Sequence, residues 1–373
     1  MARTAYFHVG LPKTGTTYLQ SLLWGHRDAL REQGVLLPGE SSREHLWATG
    51  VVREDPRLDR RGPRAPGAWD RLLEEANAWP GTVLFTHEFF AAASAEQAAR
   101  AMAAVTGAEC HVVVTAREAV SLVTARWQEW VKNGETTPID DYPVVAETDP
   151  ANEWDWGTLD LADVLARWGA TLPPERVHVL TMPEPGEPRD TLWQRFAGVV
   201  GIDPTSVDTR ASQVNQSLGV VEVELLRRIN ADLEDFSAPV DRGNWIRGYL
   251  AQEKLVPRHG EKFWPSPHRV EQLRERGDRA ADLVAERGYH VVGDVERLRT
   301  PAVLDDRRHP ESVTDSELVG AATATIAAML TDVRRLTRQR RAFEEEVGRL
   351  RQELELTTAS RLARRLRRMW PRS

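Results

Sequence analysis

The chain has 373 residues, of which 41% are hydrophobic and 28% charged, the composition of a folded protein with a sizeable core. The formal net charge is −7, and because residues 357–373 hold six arginines and no acid, the rest carries −13. Such a body repels a phosphate backbone, so we expect no nucleic-acid partner. The single cysteine, Cys110, excludes an intrachain disulfide and a cysteine-based zinc cluster. We expect neither a signal peptide nor the roughly 20 apolar residues of a membrane span, and hence a cytoplasmic protein.

A loop near the start of the chain is its most informative stretch. An apolar, β-prone run over residues 5–9 ends at Gly10, and helical spacing begins at Thr16. Gly10 and Gly15 permit a tight turn between the two elements. The first N–H groups of a helix have no partner within it and lie at the positive end of its dipole. The loop therefore predicts an anion site, most often one for a phosphate.

The order of residues in this loop separates two kinds of phosphate site. A P-loop for nucleoside triphosphates reads Gly-x-x-x-x-Gly-Lys-Ser/Thr, with a hydroxyl after the lysine for magnesium. Here the lysine comes early, in Pro-Lys-Thr-Gly-Thr-Thr over residues 12–17. This order resembles the 5′-phosphosulfate loop of sulfotransferases that use PAPS (3′-phosphoadenosine 5′-phosphosulfate). The resemblance implies that Lys13 carries charge to the breaking phosphosulfate bridge. The cofactor-binding loop that it implies consists of Pro12, Lys13, Thr14, Gly15, Thr16 and Thr17.

Strand-like and helical patterns alternate along the rest of the chain, which predicts a parallel sheet with crossover helices. The predicted strands lie at 34–38, 82–87, 110–115 and 177–182. The predicted helices of this region lie at 69–79, 95–105, 117–133, 159–168 and 191–200. Residues 43–66 have no period and predict an irregular surface excursion, in which His45 and Trp47 pack on the core or touch substrate. Helices at 218–233, 245–255 and 268–288 follow, then a short tail at 289–299.

With the resemblance, this pattern predicts an α/β protein with a three-layer P-loop-type fold. Its central sheet is parallel, the C-terminal half of the body is helical, and a long C-terminal helix or coiled coil follows. We divide the chain into a sulfotransferase-like domain over 1–299, a linker over 300–315, a coiled-coil helix over 316–358 and a basic amphipathic tail over 359–373.

Arg117, directly after the predicted strand 110–115, begins a second part of the resemblance. In the family, an arginine at this point and a serine eight residues later bind the 3′-phosphate of PAPS. A planar guanidinium suits that role because it bonds two phosphate oxygens at once. The position eight residues on is Ala125, so Ser121 or Thr124 would supply the hydroxyl. The alternative for Arg117 is a structural role, as a helix cap or as a partner of Glu118.

His87 and Glu88 end the predicted strand 82–87 and are the candidates for the catalytic base. An attacking acceptor loses a proton, and related sulfotransferases use either residue type near this point. We prefer His87, because its ordinary pKa is nearer neutrality, and keep Glu88 as the second candidate. Since the carboxyl ends of parallel strands share one edge, we expect both to converge there with Lys13 and Arg117.

Two further segments hold candidate ligand contacts. Trp127, Trp130, Lys132 and Asn133 would contact adenine or a sugar acceptor, with a core role for the tryptophans as the equal alternative. Ser217, in Asn-Gln-Ser-Leu-Gly over residues 215–219, resembles a short element that closes over the nucleotide in bacterial members; the alternative is a helix N-cap.

The leading hypothesis is a PAPS-dependent sulfotransferase that needs no metal and acts on an unidentified carbohydrate, lipid or small metabolite. One alternative is an ATP-dependent nucleotide or small-molecule kinase on the same fold. The other is a non-catalytic nucleotide-binding scaffold that acts through its coiled coil.

The C-terminal tail shows apolar residues at alternating steps of four and three, which predicts a coiled coil and a homodimer. One charged residue, Arg340, interrupts the seam. The following basic segment 359–373 predicts peripheral contact with an anionic membrane at its inner face, with a solvated end as the alternative. The residues of the predicted seam are Ala322, Ile326, Met329, Val333, Leu336, Arg340, Phe343, Val347, Leu350 and Leu354.

Overall fold

The computed structural model describes residues 3–143, 152–184, 186–210, 217–236 and 238–369. Within these ranges the protein is α/β and mostly helical, with six parallel strands and thirteen helices. The strands are β1 (Thr4–His8), β2 (Val35–Leu36), β3 (Thr82–Thr86), β4 (Glu109–Ala116), β5 (Val177–Thr181) and β6 (His290–Val292).

The strand order in the sheet is β2-β3-β1-β4-β5-β6. His8 at the end of β1 pairs in register with Thr86 of β3 on one side and with Val113 of β4 on the other. The chain adds β2 and β3 to one side of β1 and β4, β5 and β6 to the other. The loop after β1 therefore lies at a topological switch point, where open α/β sheets bind their ligands.

Helices pack on both faces of the sheet because neighbouring strand residues point to opposite sides. Phe7 belongs to the larger of two apolar clusters, whereas its neighbour Tyr6 belongs to the smaller one. The helices are α1 (Thr16–Gly25), α2 (Arg27–Glu32), α3 (Ser42–Val52), α4 (Ala68–Ala78), α5 (Ala95–Ala103), α6 (Ala119–Lys132), α7 (Trp156–Leu159), α8 (Leu161–Trp168), α9 (Thr191–Val200), α10 (Val220–Asp232), α11 (Pro239–Asp241, continuing as a π-helix over Arg242–Leu255), α12 (Pro267–Arg287) and α13 (Asp315–Met369).

Residues 43–66 contradict the sequence prediction, because most of this segment is regular. Helix α3 occupies its first part and a 3-10 turn, Leu58–Arg61, its second. The sequence of α3 lacks a clear helical spacing of apolar residues, because one of its buried positions holds a charged residue. This residue, Glu44, accepts hydrogen bonds from Arg64 and Arg71. His45 is likewise buried: its Nε2 donates to the Pro38 carbonyl at 2.8 Å. It packs in the core, the first of the two roles considered for it.

The C-terminal part of the body differs from expectation in one strand. Residues 289–299, predicted as a tail, contain β6, which pairs with β5 and forms the edge of the sheet. Residues in the predicted linker also contact the body, since the Trp264 amide donates to the Arg308 carbonyl at 3.1 Å and Pro310 is buried. A strand of three residues, two of them apolar, was too short a run to predict, because it depends on its neighbour.

Helix α13 lies against the body only in its first third. Leu318 and Ala321 are buried there, and the helix contacts α10 and the π-helix. Asp332 accepts a hydrogen bond from the Tyr249 hydroxyl at 3.0 Å and forms an ion pair with Lys254. In the part of the chain that the structure describes, no helix is long and apolar enough to cross a membrane.

Candidate active site

The loop between β1 and α1 follows the neighbouring strand β4 before it turns into the helix. The amides of Val9 and Leu11 donate to the carbonyls of Val113 and Thr115 at 3.0 and 2.9 Å. Lys13 then adopts a left-handed backbone conformation with φ of 65°. That conformation costs a residue with a side chain about 1 kcal/mol or more, and such strain is typical of functional sites.

Gly15 ends the loop and is the N-cap residue of α1, with φ of 81°. It makes no side-chain cap, and a Cβ atom at this position would collide with Leu192 of α9. The backbone angle therefore favours glycine, and a side chain here would also displace the end of the Leu192 side chain. The first N–H groups of α1, which have no acceptor within the helix, are left available to an anion.

A buried chain of hydrogen bonds supports the loop from below. The Thr14 hydroxyl donates to the Leu11 carbonyl at 2.5 Å and lies 2.6 Å from the Thr115 hydroxyl. His8 lies between Thr115 and Thr86, with ring nitrogens 3.4 and 2.8 Å from their hydroxyls. Burial lowers the pKa of His8 to about 4, against the opposing charge of Glu88, so this ring is neutral at physiological pH.

Two consequences follow for the predicted binding loop. The Thr14 hydroxyl points inward, so Thr14 offers an anion only its backbone N–H, and Thr16 and Pro12 are buried beside it. Thr17, by contrast, is exposed in the first turn of α1. The sequence analysis did not consider His8, although a histidine within an apolar strand indicates a buried polar group.

Lys13 forms an ion pair with a residue that the sequence analysis did not consider. Its Nζ lies 3.1 Å from Oε1 of Glu129 on α6, and Nζ of Lys132 lies 3.1 Å from the same oxygen. The two ammonium groups are thus at most twice that distance apart. Burial alone would raise the pKa of Glu129, but the two lysines outweigh it and lower the pKa to about 2. A carboxylate thus holds both lysines at the loop.

His87 and Glu88 lie at the end of β3, beside β1. His87 Nδ1 accepts the Phe89 amide at 3.1 Å, so the neutral ring carries its proton on Nε2. Burial lowers the pKa of His87, against the opposing charge of Glu88. Glu88 accepts a hydrogen bond from Gln20 of α1 at 3.0 Å. Its pKa is lowered: burial, which would raise it, is outweighed chiefly by His87 and by hydrogen bonds. Glu88 is therefore ionised and adjacent to the helix that follows the loop.

Arg117 follows β4 and is partly buried, but its neighbours are not those of Lys13. It lines a small cavity with Trp156 of α7 and Arg276 of α12. Burial lowers the pKa of Arg117, while Glu118 opposes this. Among the described residues the Arg117 guanidinium has no hydrogen-bond or ion-pair partner. The helix cap proposed as its alternative role belongs to Glu118, whose carboxylate accepts the Val120 and Ser121 amides.

The candidates for the missing hydroxyl lie on α6. Ser121 is partly exposed, whereas the Thr124 hydroxyl is buried and has no hydrogen-bond partner in the structure. Four residues on, Gln128 accepts the amide of Leu218 at 3.0 Å, which brings the exposed Ser217 close to the same helix. Gly219, not Ser217, is the N-cap of α10. Residues 215 and 216 of the same element lie outside the described ranges.

The aromatic residues of α6 have different roles. Trp127 is fully buried and donates to the Thr137 carbonyl at 2.9 Å, so it is a core residue. The Trp130 ring lies tilted against those of Tyr142 and Trp154, and its buried indole N–H has no hydrogen-bond partner among the residues that the structure describes. Asn133 donates to the Glu129 carbonyl at the end of the helix.

The sheet order places the ends of β3, β1 and β4 side by side, so the residues that follow these strands lie at one edge of the sheet, although Arg117 lines a separate cavity against α7 and α12. This edge offers free helix N–H groups, two lysines and an ionised carboxylate, which suit an anionic ligand and a proton transfer. No protein family model, no curated protein and no solved structure matches the chain at a significant level.

Proposed function

We propose that the protein is a sulfotransferase that transfers a sulfuryl group from PAPS to a hydroxyl or amine of an acceptor. The observation that carries the proposal is the position of Lys13. It lies in a strained left-handed loop before the uncapped N-terminus of α1, at the switch point of a parallel sheet. The strand order and the helices on both faces support a P-loop-type fold.

In the proposed reaction the 5′-phosphate of PAPS binds the N–H groups at the start of α1. Lys13 leaves Glu129 and contacts the bridge between phosphate and sulfate, while Lys132 stays with the carboxylate. The acceptor oxygen or nitrogen attacks sulfur in line as the bond from sulfur to the bridging oxygen breaks. Lys13 offsets the negative charge that develops on the departing phosphate, and such electrostatic stabilisation is the main contribution in related phosphoryl transfer.

We assign the base to Glu88 rather than to His87. With its proton on Nε2, a neutral His87 can accept a second proton only at Nδ1, where it would lose the hydrogen bond from Phe89. Glu88 is ionised and needs no such rearrangement. His87 then lies beside the base, with its Nδ1 3.8 Å from the Glu88 carboxylate.

We propose that Arg117 binds the 3′-phosphate of PAPS. Its guanidinium is a cation without an ion-pair partner among the described residues, whereas its neighbour Arg276 is paired with Asp160. The phosphate would supply the missing partner. The unpartnered Thr124 hydroxyl on α6 and the nearby Ser217 are the groups that would compensate for Ala125.

Calorimetric titration tests the proposal. Adenosine 3′,5′-bisphosphate, the nucleotide product, is expected to bind without magnesium and more tightly than ATP. Lys13→Ala is expected to weaken this binding, and Lys262→Ala, which removes an exposed lysine elsewhere, serves as the matched control. Magnesium-dependent ATP binding would favour a kinase instead, and the absence of binding by either nucleotide would favour a scaffold.

A further inference from the structure

Helix α13 carries an apolar seam that the body leaves uncovered. Large hydrophobic side chains on it are more than half exposed, among them Val333 at 57% and Phe343 at 74%. We infer that α13 pairs, parallel and in register, with α13 of a second copy of the chain. This inference is independent of the proposed chemistry, because it concerns a different face of the molecule. The exposed large hydrophobic members of the seam are Ile326, Val333, Leu336, Phe343, Leu350 and Leu354.

The structure corrects the extent of the free seam. Ala322 and Met329 pack against the body, and Asp332 is held by Lys254 and Tyr249. The body therefore covers part of the first third of the seam, and it leaves the side chains of Val333, Leu336, Phe343 and Leu350 exposed. The helix beyond Asp332 extends for about 55 Å at the usual rise per residue. A solitary helix with an exposed apolar stripe of this length gains no burial energy in water, so it needs a partner.

The residue types on the seam favour a parallel pair. In heptad notation, three of the a positions hold the β-branched residues Ile326, Val333 and Val347, and two of the d positions hold leucine, the others being Ala322, Met329 and Phe343. This distribution favours two parallel strands. A single polar residue at an a position specifies register at some cost in stability, and Arg340, which pairs with Glu344 of its own helix at 3.4 Å, occupies that place.

The flanking charges favour the same arrangement. In a parallel pair in register, Glu346 at a g position faces Arg351 at the following e position of the second copy, an attractive contact. An antiparallel pair that overlaps the same segment brings Glu344 and Glu346 close to their own copies, which is repulsive. A second copy oriented in parallel therefore fits the apolar positions and the contact between Glu346 and Arg351, while Arg340 faces its own copy at some cost in stability.

Sedimentation equilibrium of the full chain tests the pairing. The wild type is expected to be a dimer at micromolar concentration. The double substitution Leu336→Asp and Leu350→Asp is expected to raise the dissociation constant of the dimer at least about tenfold, or 1.4 kcal/mol. The matched control, Ala342→Asp with Gln352→Asp, adds the same charge on exposed positions away from the seam and should leave it unchanged. Circular dichroism of the body verifies that both variants fold.

Disulfide formation tests the orientation. Leu354→Cys is expected to cross-link two copies on mild oxidation, because a and a′ positions meet only in a parallel pair in register. The native Cys110 should not interfere, since burial raises the pKa of its thiol to about 11. A monomeric wild type, or a dimer that survives the double aspartate substitution, would overturn the pairing. A dimer without the Leu354→Cys cross-link would overturn the parallel arrangement.

Discussion

Replacement of Glu129 by glutamine is the most informative perturbation of the proposed site. The carboxylate holds Lys13 and Lys132, and its pKa is lowered from an ordinary 4.5 to about 2. That difference corresponds to about 3 kcal/mol of folding free energy at neutral pH. The side chain is 21% exposed, so solvent screening of this contribution is modest. We expect Glu129→Gln to destabilise the protein by about that amount at pH 7.

The contribution of Glu129 to the free energy of unfolding depends on pH. Because the folded-state pKa of Glu129 lies below the unfolded value, its contribution is fully present above pH 4.5 and is lost as the pH falls through about 2. The difference between wild type and variant should therefore be constant from pH 7 to 5. By pH 3 it should fall to roughly half. Urea unfolding at each pH measures this difference in unfolding free energy from the shift in the urea concentration at the midpoint.

Ligand binding should move in the opposite direction from stability. The Glu129 carboxylate competes with an anionic ligand for Lys13, so Glu129→Gln should bind adenosine 3′,5′-bisphosphate several-fold more tightly. Glu54→Gln, which removes the exposed partner of Arg100, is the matched control and should cost less than about 1 kcal/mol. A loss below about 1 kcal/mol at pH 7 for Glu129→Gln, or an undiminished loss at pH 3, would refute the ion-pair reasoning.

The remaining predictions concern the three assigned roles. Lys13→Ala should lower turnover with PAPS more than tenfold, about 1.4 kcal/mol of barrier, while circular dichroism stays unchanged; a smaller loss would contradict its role. Arg117→Ala should weaken binding of the bisphosphate at least about tenfold more than binding of its 3′-dephospho analogue, and equal losses would argue against 3′-phosphate recognition. Glu88→Gln should lower kcat by a factor of about 10² or more, and His87→Gln should lower it by a smaller factor. The reverse order would indicate that His87 is the catalytic base.

Local sequence determined much of the fold because strands, helices and the loop each depend on nearby residues. The loop after β1, five of the six strands and most of the helices lie within a few residues of their predicted positions. The errors came where burial was decided by distant partners. Helix α3 looked irregular because its buried Glu44 is neutralised by Arg64 and Arg71, and the short β6 exists only because β5 pairs with it.

The chemistry of the candidate site divides in the same way. The early position of Lys13 and the glycines around it could be recognised from the chain alone, since they are adjacent in sequence. The contacts of Lys13 with Glu129, of Glu88 with Gln20 and of His8 with Thr115 could not, because each joins residues far apart along the chain. Such contacts depend on the order of the strands, and the sequence pattern does not contain that order. Only the tertiary structure decided which charges meet at the sheet edge and which part of the α13 seam stays exposed.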